Sequence, residues 1–254
     1  MRVPEEQTSW EGVSEWYGRA VGRAGTYYHQ RLILPRGLGL LELKAGASLL
    51  DLACGQGVLA RAMPKGVGYV GVDASPSLIR QASRLDRDRS HTYIVADVTK
   101  PLPIDKKDFT HTALILSLQN IAEPEGVIRN ARRHLGRTGR LLIVLNHPCF
   151  RIPRQTSWGV DDKNKVQYRR VDRYLSPLEV PIRSRPSRGE GSEVVWSYHL
   201  SLSDYSRVLS NAGFLIERIE EWVSDRRSVG PAARMENRAR EEFPLFLALL
   251  ARKD

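Results

Sequence analysis

Residues 49–57 read "LLDLACGQG". Leu49, Leu50 and Leu52 make a buried-strand pattern that carries one acid, Asp51, and stops in small residues and two glycines, Gly55 and Gly57. A loop with almost no side chains lets another molecule lie against the backbone. A buried carboxylate is costly unless it is bonded, so Asp51 needs a partner.

Outward from this stretch the chain alternates between strands and helices. "GVLARAM" (57–63) opens a helix and "YVGVDAS" (69–75) is a second strand. "SPSLIRQASRL" (75–85) is a helix with a Ser-Pro start that suits a cap and first turn. "TYIVADV" (92–98) and "HTALILSL" (111–118) are the third and fourth strands; "PEGVIRNARRHL" (124–135) is a helix and "GRLLIVLN" (139–146) a fifth strand. Nearly continuous apolar strands alternating with helices predict an α/β fold, a parallel sheet covered on both faces. The first 45 residues read as a helical cap with aromatics in "EWYG" and "TYYHQ".

The alternation breaks after Asn146, and about fifty residues pass before the helix "SDYSRVLSNAG" (203–213). Connections of that length are functional or disordered. This one holds Phe150, Trp158, Tyr168, Tyr174, Trp196 and Tyr198, too many aromatics for a solvated loop, and is read as a folded lid over about 148–200. In "EVVWSYHLS" Trp196 and Tyr198 share one face and His199 points opposite. "KVQYRRVDRY" (165–174) is the candidate antiparallel partner. Strands at "FLIERIE" and "FPLFLALLAR" follow, so the whole chain, 1–254, reads as one domain.

With 41% hydrophobic residues the chain can build a full core. No apolar run is long enough to span a membrane, and the first residues have no apolar stretch of the secretory kind, so a cytoplasmic protein is expected. Two cysteines, Cys54 and Cys149, argue against a disulfide scaffold and for a reducing compartment. The net charge of +10 raises the odds of an anionic partner, RNA included, though most such charge is simply solvated. No His, Cys or acid cluster has metal-ligand spacing.

Two further acids close strands: Asp73 in "VGVDAS" and Asp97 in "ADV". Carboxyl ends of parallel strands line one crevice, where ligands bind. "GQGVLA" (55–60) also fits the dinucleotide fingerprint, with Asp73 as its ribose acid. An acid inside the strand before the loop, and a strand pair after the last helix, pull away from that reading.

At these motifs the chain resembles class I methyltransferases that use S-adenosylmethionine. "LLDLACGQG" matches the family's first motif, "VGVDAS" its second, "ADV" its third and "LGRTGRLLIV" the stretch before its fifth strand. It looks closest to small-molecule enzymes of the quinone-biosynthesis type. The resemblance implies a Rossmann-like seven-stranded sheet with an antiparallel last strand, helices on both faces and a lid after strand five. It implies that Asp51 sits near the amino end of the methionine moiety, and that Ala53, Gly55 and Gly57 let the backbone approach the cofactor. Asp73 would bind the ribose beside Ala74, Asp97 and Val98 would frame the adenine, and Ser117 would line the transfer face. Tyr27 and His29, in "TYYHQ", would close over the cofactor.

A base is needed only if the acceptor must lose a proton. His147, directly after the fifth strand, is the first candidate; His199 and its neighbour Tyr198 are the others. Gln119 and Asn120 would orient the acceptor, and Trp158, Tyr168, Tyr174 and Trp196 would wall a pocket for a planar or aromatic compound, with Arg169, Arg170 or Arg173 available to grip an acidic group. The competing readings are an RNA methyltransferase and a non-catalytic binding module. Residues 148–190 hold ten Arg and Lys against five acids, which could track phosphates. The strand-four loop "LSLQNI", however, lacks the acid or asparagine, paired prolines and aromatic of base-amino methylators. Convergence of the insertion's aromatics on the cleft is what would separate an enzyme pocket from a binding module.

Overall fold

The structure, a computed structural model, describes residues 10–184 and 193–254. The outer ends of the expected cap (1–9) and part of the insertion (185–192) lie outside the described residues.

Seven strands form one sheet: β1 (Ser48–Leu52), β2 (Gly68–Asp73), β3 (Thr92–Val95), β4 (Phe109–Ile115), β5 (Leu135–Asn146), β10 (Phe214–Trp222) and β11 (Phe246–Lys253). Their order is β10-β11-β5-β4-β1-β2-β3. β1 pairs in parallel with β2 and β4, while β11 runs antiparallel to both β5 and β10. The sheet is therefore the Rossmann-like one expected, with a single reversed strand.

The side-chain period of two splits β1 between the faces. Leu50 and Leu52 enter a core with Val127, Ile128 and Ala131 of helix α4 (Pro124–His134) and Tyr205, Val208 and Leu209 of α5 (Leu202–Asn211). Leu49 enters the opposite core with Leu40 and Leu41 of α2 (Leu34–Leu41), and Asp51 shares that side. The N-terminal cap comprises α1 (Ser14–Val21), a π-helical turn His29–Ile33 and α2. α3 (Pro76–Leu85) starts from Ser75, whose Oγ accepts from the Leu78 amide, and α5 opens with a Ser201–Asp204 capping box. Such caps contribute about 1 kcal/mol each. Gly213, at φ +74, ends α5 in the left-handed region where glycine has no penalty.

Three elements depart from the sequence reading. The helix expected at 57–63 is only a 3₁₀ turn, Ala60–Ala62. Pro64 is the reason: it forces Met63 to extended backbone, at φ −69 and ψ 153, and stops helix growth after one turn. A helix missing from the reading, α6 (Ala233–Glu242), buries only Ala239 and so has no apolar stripe for periodicity to detect. In the insertion the expected pairing is replaced by two hairpins: β6 (Thr156–Asp161) with β7 (Val166–Val171), and β8 (Leu178–Arg183) with β9 (Val194–His199). Pro181 hid β8, but a two-stranded ribbon is all edge, where proline is tolerated. β9 packs on the turn Leu118–Asn120 at the carboxyl end of β4. Among the described residues no helix is long and apolar enough to cross a membrane.

Candidate active site

A cavity of about 630 Å³ opens at the carboxyl ends of the parallel strands. That is the size of a small-molecule site. Its floor is the loop after β1. Ala53 and Gly55 both sit in the left-handed region, at φ +56 and +55, which turns the backbone sharply and exposes its edge. Asp73, at the end of β2, fixes that loop: its Oδ2 accepts from the Gly55 amide at 2.8 Å and its Oδ1 from the Ser75 amide at 2.9 Å. One carboxylate thus locks two loops and still presents to the cavity, with burial raising its pKa. Asp51 accepts from the Tyr69 hydroxyl at 2.8 Å and is otherwise uncompensated among the described residues, so burial, with Asp73 adding to it, pushes its carboxyl up to about 7. Asp97 spends its Oδ1 on the Thr99 amide and hydroxyl, at 2.8 Å each, shaping the loop after β3.

The N-terminal cap covers this floor. Glu11 accepts from the Ser77 amide at 3.0 Å and from the Ser75 and Ser77 hydroxyls, at the start of α3 where helix amides favour an anion. Trp10 meets Tyr17 edge to face at 5.4 Å, and both line the cavity with Trp16. His29 accepts at Nδ1 from the Thr26 hydroxyl (2.8 Å) and amide (3.3 Å), which puts its proton on Nε2. Burial holds its pKa down at about 4, so it is a neutral hydrogen-bond donor and not a base near pH 7.

Of the residues expected to meet the cofactor, the cavity brings together Asp51, Ala53, Gly55, Asp73, Ala74, Asp97, Val98, Ser117 and His29, and with them Gln119 and Asn120. Two expected residues are absent from its walls. A Cβ on Gly57 would lie 2.8 Å from the Tyr93 hydroxyl and 3.2 Å from the Ala82 Cβ, so this glycine serves packing against β3 and α3. Tyr27 faces outward under the Arg226 guanidinium, 4.3 Å from its ring, and its neighbour Tyr28 turns into the cavity instead.

The structure does not bring the other expected groups to the cavity. His147 is buried, with Nε2 2.7 Å from Glu221 Oε1 and Nδ1 accepting from the Cys149 amide, so both nitrogens are committed. His199 reaches the Tyr174 carbonyl at 2.6 Å, and Tyr198 is buried beside it; β9 is covered on both faces here, and neither residue lines the cavity. The insertion's aromatics pack within it and against the chain that follows: Trp158 sits edge to face on Phe243 at 5.4 Å, Arg169 lies 5.0 Å over Trp158, and the Tyr174 hydroxyl accepts from the Leu202 amide. Tyr168 is exposed and Trp196 pairs with Pro181 across the ribbon. The cavity takes its far wall from Tyr28, Asn146, Arg151 and Phe246, which sequence patterning does not single out. Only the aromatic density of "EWYG" and "TYYHQ" hinted at the cap. Cys54 and Cys149 are both free thiols, raised above the usual range by burial.

Residues 50–143 match the family model described as a methyltransferase domain. The chain aligns over 91% of its length with all of an S-adenosylmethionine-dependent methyltransferase from Mesorhizobium loti, at 25% identity and a TM-score of 0.67. It is 26% identical over 215 residues to an uncharacterised 37.1 kDa protein in transposon TN4556 of Streptomyces fradiae, covering 76% of this chain and 61% of that one. A demethylmenaquinone methyltransferase of Tropheryma whipplei is 29% identical over 112 residues, 43% of this chain and 46% of the relative. The chain thus spans about half to three-fifths of the Tropheryma and Streptomyces relatives. The domain and fold are those of class I S-adenosylmethionine-dependent methyltransferases, and S-adenosylmethionine is the cofactor of that class.

Proposed function

We propose that the chain transfers a methyl group from S-adenosylmethionine to a small planar or aromatic acceptor. The observation that carries this is one cavity whose near side holds the strand-end acids and whose far side is walled by Tyr28, Phe246 and Arg151. Asp51 is the test of fit: a buried carboxyl with no basic partner among the described residues suits a ligand that brings its own positive charge. When bound, the cofactor supplies an activated methyl group on a sulfonium. The chain's residues do the rest. Asp73 holds the ribose hydroxyls while keeping the Gly55 loop in place, Asp51 balances the charge of the methionine end, and Asp97 and Val98 flank the adenine. His29 donates from Nε2. Positioning of this kind contributes about 7–11 kcal/mol to a displacement. The insertion, 148–200, acts as a lid whose aromatics tie it to the end of α6 and the start of α5, on a chain that forms one domain. Two free thiols suit a cytoplasmic setting.

The aromatics of the insertion do not converge on the cavity, the observation that was to separate enzyme from binding module. The pocket is nonetheless walled by aromatics, drawn from the cap and from β11, and this supports the enzyme reading. Calorimetry tests it: S-adenosylhomocysteine should bind at micromolar strength, NAD should not, and Asp73→Ala should weaken binding by about 1.5–3 kcal/mol. Unchanged affinity in that variant would remove Asp73 from the ribose site. Labelled methyl transfer to compounds in cell extracts identifies the acceptor, and salt-sensitive RNA binding without such transfer would favour the RNA reading.

A further inference from the structure

Arg151 stands in the far wall of the cavity, just beyond the end of β5. Its Nη1 is committed to the protein, donating to Asn146 Oδ1 at 2.7 Å and to the Leu245 carbonyl at 3.4 Å. The guanidinium lies 5.3 Å over the Phe246 ring, which fixes its plane. Among the described residues no carboxylate lies within ion-pair distance of it, and Nε and Nη2 have no hydrogen-bond partner. Burial lowers the Arg151 pKa, Tyr28 acts against that, and Arg169, itself held by the Phe150 carbonyl and the Thr156 hydroxyl at 2.7 Å each, adds repulsion. A half-buried cation with an anchored side and a free Nε–Nη2 edge is costly unless something fills that edge. The free edge presents two parallel N–H groups, the geometry that a carboxylate meets with two bonds. Arg140, by contrast, has Glu217 at 3.1 Å.

We propose that Arg151 is a specificity residue that grips a carboxylate on the acceptor, so that the preferred acceptors are planar or aromatic acids. This rests on the methyltransferase reading for the word acceptor, but the anion site is defined by the cavity itself. Asn146 Oδ1 and the Leu245 carbonyl aim the fork, and the Phe246 ring lies beneath the acid-bearing end. An acceptor held there is set at the end of β5, two strands from the cofactor loop after β1. With strands about 4.8 Å apart that is roughly 10 Å, room for a fused ring system between guanidinium and methyl group.

The test uses 2-naphthoate and its neutral isostere 2-naphthamide as probes, titrated into the full chain by calorimetry, with and without saturating S-adenosylhomocysteine. The protein should bind the acid at least about tenfold more tightly than the amide. Arg151→Gln should erase that preference while leaving the affinity for the amide within twofold, which a collapsed pocket would not do. Arg151→Lys should restore part of the preference, because it returns the charge without the fork. Equal binding of the two probes, binding of neither, or a preference that survives in Arg151→Gln overturns the proposal. Failure to bind S-adenosylhomocysteine, with the acid preference intact, sinks the methyltransferase reading and leaves the anion site standing.

Discussion

Asp51 has no basic partner among the described residues, and its one bond, from Tyr69, does not offset its burial. Its folded pKa, about 7, lies above that of an unfolded carboxylate. The contribution to stability is therefore fully present below about pH 4 and is lost as pH rises through about 7. A cationic cofactor favours the ionised form, so binding at pH 6 should release a proton and affinity should climb to a plateau above pH 7. Calorimetry at pH 6 in buffers of different ionisation heat reads the proton directly; no release would show that Asp51 is already ionised. Asp51→Asn should abolish the release and raise the melting temperature of the free protein at pH 8. Ala53 and Gly57 make a paired test of the loop. Ala53 carries a side chain at φ +56, and Ala53→Gly should gain up to about 1 kcal/mol of stability. Gly57→Ala adds a Cβ at φ +72 against a Tyr93 hydroxyl that Asp86 holds at 2.6 Å, and should lose about 2 kcal/mol or more in denaturant unfolding.

At the scale of elements, the strands of the main sheet were legible because burial on both faces leaves long apolar runs, and α3 and α5 because their caps are written in Ser-Pro and Ser-x-x-Asp. The strand-end side of the cavity was legible for a related reason: acids at strand ends are too costly to be accidental. The far wall was not. Arg151 and Phe246 are 95 residues apart in sequence yet adjacent in space, because β11 inserts beside β5 and pairs Phe246 with Asn146. No local pattern encodes that pairing. Trp158 carries the related lesson that an aromatic in a long insertion packs before it binds. Its edge-to-face pair with Phe243 ties the β6–β7 hairpin to the end of α6, a contact of about 0.5–1.5 kcal/mol. Trp158→Ala should speed proteolysis within 153–174 and leave S-adenosylhomocysteine affinity within twofold. A loss of affinity with unchanged proteolysis would place Trp158 at the ligand.

For the molecule as a whole, cap, sheet and insertion all border one cavity, so ligand binding should stabilise them together. S-adenosylhomocysteine at a hundred times its dissociation constant adds about 2.7 kcal/mol, or roughly 5–11 °C in melting temperature for a chain of this size. The shift should come as one transition. A second transition that ignores the ligand would show that some part of the chain melts separately from the cavity.

The position of β11 divides the cavity in time as well as in space. Every loop that lines the strand-end side of the cavity is synthesised before residue 124, whereas Phe246 and the Leu245 carbonyl that aims Arg151 arrive with the strand that is made after all others in the sheet. A nascent chain can shape its strand-end loops while part of the opposite wall is still unmade. Descendants of such a chain can also exchange that part of the wall, residue by residue in the downstream half, and inherit the strand-end loops unchanged.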